Sequence, residues 1–162
     1  MRRLYCILVL FLITGVFQQV LAQEKGQFNA SMNFVFGAGI AANGGLNMGV
    51  EYFFTPKIAA APSYTHYFSS GISYGEFNLD GRYYFSSGKV NFYGIAGFTN
   101  LNVNGNFPVL GDVDEFESGF NLGAGAYFPS GERLGFTGQI KYTSTLNGQV
   151  YYQAGISYQL NK

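Results

Sequence analysis

Along most of the chain, hydrophobic and polar residues alternate with a period of two, as a strand does when its two faces meet different surroundings. Between Phe77 and Phe85, Phe77, Leu79, Tyr83 and Phe85 share one parity, and Asn78, Asp80, Arg82 and Tyr84 share the other. Ser86-Ser87-Gly88-Lys89 supplies residues that tolerate turn dihedrals. Val90 to Val103 then resumes as a second long strand, so the unit is a tight hairpin.

The same reading extends the pattern to eight extended segments with no helical period. The first runs from Phe28 to Ile40, with Met32, Phe34 and Phe36 opposite Asn29, Ser31 and Asn33. The second, Gly45 to Phe54, sets Leu46, Met48, Val50, Tyr52 and Phe54 against Asn47, Gly49, Glu51 and Phe53. In the third, Ile58 to Ser69, Pro62 interrupts the ladder and the two parities are similar, so its facing stays open. The sixth, Phe116 to Phe128, separates Phe120 and Leu122 from Glu117 and Asn121. The seventh, Arg133 to Thr143, separates Leu134, Phe136, Ile140 and Tyr142 from Arg133, Thr137, Gln139 and Lys141. The eighth runs to the end with Val150, Tyr152, Ile156 and Tyr158 on one face. Asn104 to Glu115, carrying Asp112, Asp114 and Glu115, reads as the longest connection and an exposed outer loop. Turns after the even strands are short, and the two longest connections follow odd strands. That asymmetry fits a membrane barrel with tight periplasmic turns and outer loops.

Alternation alone leaves open which face is inside. Composition decides it. Only 11% of the 162 residues are charged, against roughly 25% in an ordinary soluble domain, while 19% are aromatic and 23 are Gly. With the apolar faces inward, the outer surface would be Asn, Gly, Ser and Gln, poorly solvated and weak as strand. With them outward, the polar parity fills a narrow lumen, and the glycines make room there for Phe53, Tyr84, Tyr127 and Tyr151. Aromatic residues near strand ends, such as Tyr52, Phe54, Tyr83 and Phe128, fit interfacial girdles.

Targeting agrees with export. Arg2 and Arg3 precede an apolar run from Leu4 to Phe17 and a Val20-Leu21-Ala22 exit, so residues 1–22 read as a signal peptide cleaved before Gln23, with 23–162 as one barrel domain. The apolar run of about 14 residues is shorter than the roughly 20 a spanning helix needs. The only cysteine, Cys6, lies in this segment, so the exported chain is expected to have no disulfide and no Cys metal ligand. Zero formal net charge and the lack of a basic cluster argue against nucleic acid as a partner.

The ending Ala154-Gly155-Ile156-Ser157-Tyr158-Gln159-Leu160 is similar to the amphipathic last strand of small outer-membrane barrels, although it closes on Leu160-Asn161-Lys162 rather than a terminal Phe. Over its exported length the chain resembles the eight-stranded barrels of the OmpA/OmpX type and the compact outer membrane protein beta-barrel domains of Bacteroidetes. The resemblance implies an all-β, eight-stranded antiparallel up-and-down transmembrane β-barrel in the outer membrane of a Gram-negative bacterium. It further implies outer-membrane lipid as surroundings and the barrel-assembly machinery as a partner during insertion. A monomer is expected, and the surface partner is not specified. The alternative is a soluble exported calycin-like barrel binding a hydrophobic ligand, against which stand the absence of Trp and the low charge.

No catalytic, cofactor or metal site is expected. Gly37-Ala38-Gly39 and Gly123-Ala124-Gly125 lack the third glycine and the following helix of a dinucleotide loop. Some barrels of this size are lipid A deacylases with a His-x-Ser pair, but two residues after His66 stands Phe68, and Ser69 has the opposite parity. Glu51, Asp80, Arg82, Glu117 and Lys141 all fall on the polar parity and are predicted to meet in the lumen as a charge network that fixes the barrel, with Arg82 as its hub. Asp112, Asp114 and Glu115 are carboxylates of an unconstrained loop, solvated rather than arranged for Ca²⁺.

Overall fold

The computed structural model describes residues 23–69, 72–86, 88–107 and 111–161, and the side chains of all of these except 105–107 and 111–114. The signal-peptide reading of 1–22 lies outside the described residues. Eight antiparallel strands follow one another round a closed barrel, each paired with its sequence neighbours and β1 with β8. They are β1 (Phe28–Gly37), β2 (Gly45–Thr55), β3 (Ile58–Tyr67), β4 (Ile72–Tyr84), β5 (Asn91–Phe107), β6 (Gly111–Pro129), β7 (Leu134–Thr143) and β8 (Gln149–Gln159). The seam pairs Asn29 with Gln159 through Gly37 with Tyr151. It is finished by the Asn161 side chain, which accepts from the Phe28 amide at 2.7 Å and donates to the Gly26 carbonyl at 2.8 Å.

The barrel is apolar outside and polar inside. Among the described residues, 28 large hydrophobic side chains are exposed and 11 hydrophobic residues are buried, the reverse of a protein that folds around an oily core. Phe34, Phe98, Leu122 and Ile140 lie on the outer wall, while Asn29, Asn47, Glu51, Asn78, Asp80, Asn121, Lys141 and Gln153 are buried within it. In strand after strand the faces follow the alternation of the sequence.

Three features depart from the sequence reading. Asn104 to Glu115 is not an irregular loop: β5 runs on to Phe107 and β6 starts at Gly111, with Asn104 paired to Asp114 and Asn106 to Asp112. Asp112, Asp114 and Glu115 are therefore strand residues of a long hairpin, because backbone pairing across it outweighs the turn-prone composition of Asn, Gly and Asp. β1 ends at Gly37 rather than Ile40, and Gly39–Asn43 forms a short 3-10 turn with Ala41 buried. Gly39 has φ +64°, which ends the strand and suits glycine. The third strand has a definite facing, with Ile58 and Tyr64 outward and Ala59, Ala61, Thr65 and Tyr67 inward. Its ladder with β2 skips from Gly49–Ser63 to Tyr52–Ala60, across Pro62, which has no N–H to give.

Candidate functional site: the lumen

Inward-facing side chains fill the barrel in three zones along its axis. Near the end that carries the turns after even strands, Phe53, Ala59, Tyr84, Tyr93 and Ile95 form an apolar cluster, with Tyr127 packed against it. Its rings are in contact, Phe53 with Tyr84 at 5.2 Å and Tyr84 with Tyr93 at 4.9 Å between centroids. At the other end Val35, Ala41, Tyr67 and Tyr151 form a second cluster with Ile40 and Tyr74 against it. The ionic groups lie between.

Rings of this size fit because strand glycines stand beside them. A Cβ on Gly125 would overlap the Tyr93 ring, and one on Gly135 would overlap the ring of Tyr127. Interior positions of a small barrel must alternate large with absent side chains to pack, which is the physical content of the high glycine count.

The ionic zone holds two pairs. Arg82 Nη1 lies 3.3 Å from Glu51 Oε1, and Lys141 Nζ lies 3.4 Å from Asp80 Oδ2. Glu51 also accepts from the Tyr84 hydroxyl at 2.9 Å and from Asn29 Nδ2 at 3.4 Å. Arg82 reaches Gln139 Oε1 at 3.3 Å and lies over the Tyr93 ring at 5.0 Å, a cation–π contact. Gln139 passes the network on to Gln153 at 2.7 Å. Around the second pair, Lys141 donates to Asn78 Oδ1 at 2.8 Å, and Asn121 Nδ2 donates to Asp80 Oδ1 at 2.9 Å and to Asn78 Oδ1 at 2.7 Å. Lys141 and Asp80 are 1% and 2% exposed, so this pair has left water almost completely.

Of the five charged residues predicted to meet, the structure brings Glu51 to Arg82 and Asp80 to Lys141. Glu117 stands apart. It has the inward parity but lies beyond the zone in the upper part of β6, exposed, where its two carboxylate oxygens accept from the Leu146 amide at 3.1 and 3.2 Å. It holds the β7–β8 turn, in which Leu146 and Asn147 take φ of 52° and 64°. Parity fixes the face of a residue but not its height in the barrel, and height separates Glu117 from the others.

One charged lumen residue was missed. Glu76 is fully buried and accepts from the Tyr67 hydroxyl at 2.7 Å, while its other carboxylate oxygen has no hydrogen-bond partner among the described residues. It shares parity with Asn78 and Asp80, a signal available in the sequence but hidden by the Ser- and Gly-rich approach to β4. Asp112 and Asp114 lie in β6, and Glu115, also in β6, is exposed. His66 faces outward, its ring edge-on to Phe68 at 6.3 Å. No group of three or more His, Cys, Asp or Glu among the described residues is placed to hold a metal ion.

No family model matches this chain, and no curated protein matches it. Solved structures do match in shape. The N-terminal β-barrel domain of Pseudomonas aeruginosa OprF has a TM-score of 0.74 at 17% identity, covering 85% of this chain and 100% of that one. OprG, an outer membrane protein of the same organism, gives 0.61 at 14% identity over 89% of this chain and 100% of its own. Ail, the attachment invasion locus protein of Yersinia pestis, gives 0.55 at 15% identity over 83% and 97%. The fold is that of the small eight-stranded outer-membrane barrels.

Proposed function

We propose that this chain is an integral outer-membrane protein without enzymatic activity, a plugged barrel that serves envelope structure or makes surface contacts through its long β5–β6 hairpin. The observation that carries the reading is the inverted polarity: a wall rich in exposed apolar side chains outside and paired charges inside. Hydrocarbon tolerates the first and water does not, and closing the sheet leaves no unpaired backbone edge for lipid to meet. The shared fold with OprF, OprG and Ail supports it. In this reading the turns after β2, β4 and β6 face the periplasm, and the hairpin stands outside, where a partner could reach it. Outer-membrane lipid surrounds the wall, and the barrel-assembly machinery inserts the chain through its amphipathic last strand.

A label on the wall tests the reading directly. A spin label at Leu122→Cys, which is 52% exposed in mid β6, should be relaxed strongly by lipid-dissolved oxygen and weakly by a water-soluble nickel chelate in reconstituted vesicles. The unheated protein should also migrate differently from the heated one on a gel. Free access of the chelate to position 122, with no heat-dependent shift, would overturn the membrane assignment and favour a soluble barrel.

A further inference from the structure

The two ends of the barrel carry opposite charge. Strand direction alternates, so the starts of odd strands and the ends of even ones share one rim. On that rim lie Lys25 before β1, Lys57 between β2 and β3, Lys89 between β4 and β5, and Arg133 between β6 and β7. Every one of the four is at least partly exposed. Among the described residues the carboxylates there are Glu24 and Glu132, which leaves four cations less two acids, a surplus of two positive charges. Among the described residues, the opposite rim has no Lys or Arg in its connections 38–44, 68–69 and 144–148, and carries the exposed Glu115 and Glu117.

These cations sit at a particular height. Phe54 precedes Lys57, the stacked pair Phe85 and Phe92 flanks Lys89, and Phe128 precedes Arg133, each aromatic on the outer wall and exposed. Exposed aromatic rings at strand ends mark the boundary between hydrocarbon and headgroup. Lys and Arg a few residues beyond that boundary are at a height where a long, flexible side chain can bring its charge to the headgroup layer. They follow one another round that rim from hairpin to hairpin.

We propose that this basic rim binds anionic phospholipid headgroups, of the phosphatidylglycerol class, in the leaflet on the turn side, so that the barrel gathers an anionic lipid shell at one end only. The inference rests on the membrane reading above, and charge complementarity selects the ligand. The acidic rim has the wrong sign for such lipids, which makes the binding one-sided and gives the protein an electrostatic as well as a structural polarity.

The test uses the whole protein refolded in phosphatidylcholine vesicles that contain a trace of spin-labelled phosphatidylglycerol or spin-labelled phosphatidylcholine. The motionally restricted part of the spectrum reports lipid touching the wall. Phosphatidylglycerol should be preferred roughly fivefold at low salt, the factor for about one Lys or Arg near an anionic surface. The preference should fall towards unity near 1 M salt, where the screening length is about 3 Å. Lys57→Gln, Lys89→Gln and Arg133→Gln combined should abolish it, and Glu115→Gln with Glu117→Gln should leave it. A restricted component of equal size for both lipids, or a preference that survives the triple variant, overturns the proposal while leaving the membrane reading intact. So does loss of the preference joined to Lys-dependent sedimentation with purified murein, which would assign the rim to the wall polymer. Absence of any restricted component sinks the membrane reading and this inference together.

Discussion

Lys141 offers the sharpest test of whether the lumen is a sealed, low-dielectric interior. Substitution to Met keeps the length of the stem and removes the ammonium, leaving Asp80, at 2% exposure, with Asn121 as its remaining donor at 2.9 Å. Breaking a buried ion pair from one side costs about 3–5 kcal/mol. The retained hydrogen bond to a charged acceptor, worth about 1.5–3 kcal/mol, places the expected loss at the lower end, about 3 kcal/mol. Asp80→Asn should cost a similar amount, because it strands the ammonium with Asn78 as its neighbour. In the double variant neither charge remains, so its loss should fall short of the sum of the two by at least about 2 kcal/mol. The chain has no Trp, so the folded fraction is best read from the gel mobility of unheated samples across a urea series in phospholipid vesicles. Single variants that lose less than about 1 kcal/mol and add independently would mean that the pair behaves as one in water. The sealed interior would then be wrong.

Arg82→Leu should lower stability by about 3 kcal/mol in the same urea series, since Glu51 keeps the Tyr84 hydroxyl but loses its cation; an unchanged midpoint would show that Glu51 is solvated. Gly125→Ala should cost about 1–3 kcal/mol through overlap with the Tyr93 ring, whereas Gly94→Ala, with open space around the added methyl, should be neutral; equal effects would argue that the Tyr93 ring does not occupy the lumen. In planar bilayers the proposed plugged barrel should show no steady large conductance, with the aromatic clusters on either side of the ionic zone as the plug; stable porin-sized openings would refute it.

Much of the fold was legible because the side-chain period of a strand is two and this chain exposes its two faces to very different surroundings. Phe77, Leu79 and Tyr83 against Asn78, Asp80 and Arg82 is enough to orient β4. The signal failed where it became local. Asn104, Gly105 and Asn106 carry turn chemistry, and only their pairing with 112–114 makes them strand, an interaction no short window contains. Pro62 blurred the third strand for the same reason, since its cost depends on the partner it faces. The candidate site was readable as a set of faces but not as a geometry: Glu117 and Lys141 share the inward parity, yet only Lys141 lies level with Asp80. Glu76 was overlooked because its importance comes from Tyr67, nine residues away across a hairpin.

The seam between β1 and β8 bears on how the barrel forms. Asn161 and Phe28, joined there by a hydrogen bond, are 133 residues apart in sequence, whereas every other strand pairing is between neighbours. Seven of the eight ladders can therefore grow as successive hairpins, each closing a short loop at little entropic expense. The eighth requires the two ends of the folding unit to meet, and until they do both edge strands have open rows of N–H and C=O groups that hydrocarbon cannot satisfy. A half-inserted sheet has no resting place in the bilayer. Insertion and closure should consequently occur as one cooperative event, with the rate set by the meeting of the termini rather than by any single hairpin, and with substitutions at the seam slowing assembly more than equivalent ones in β4 or β5.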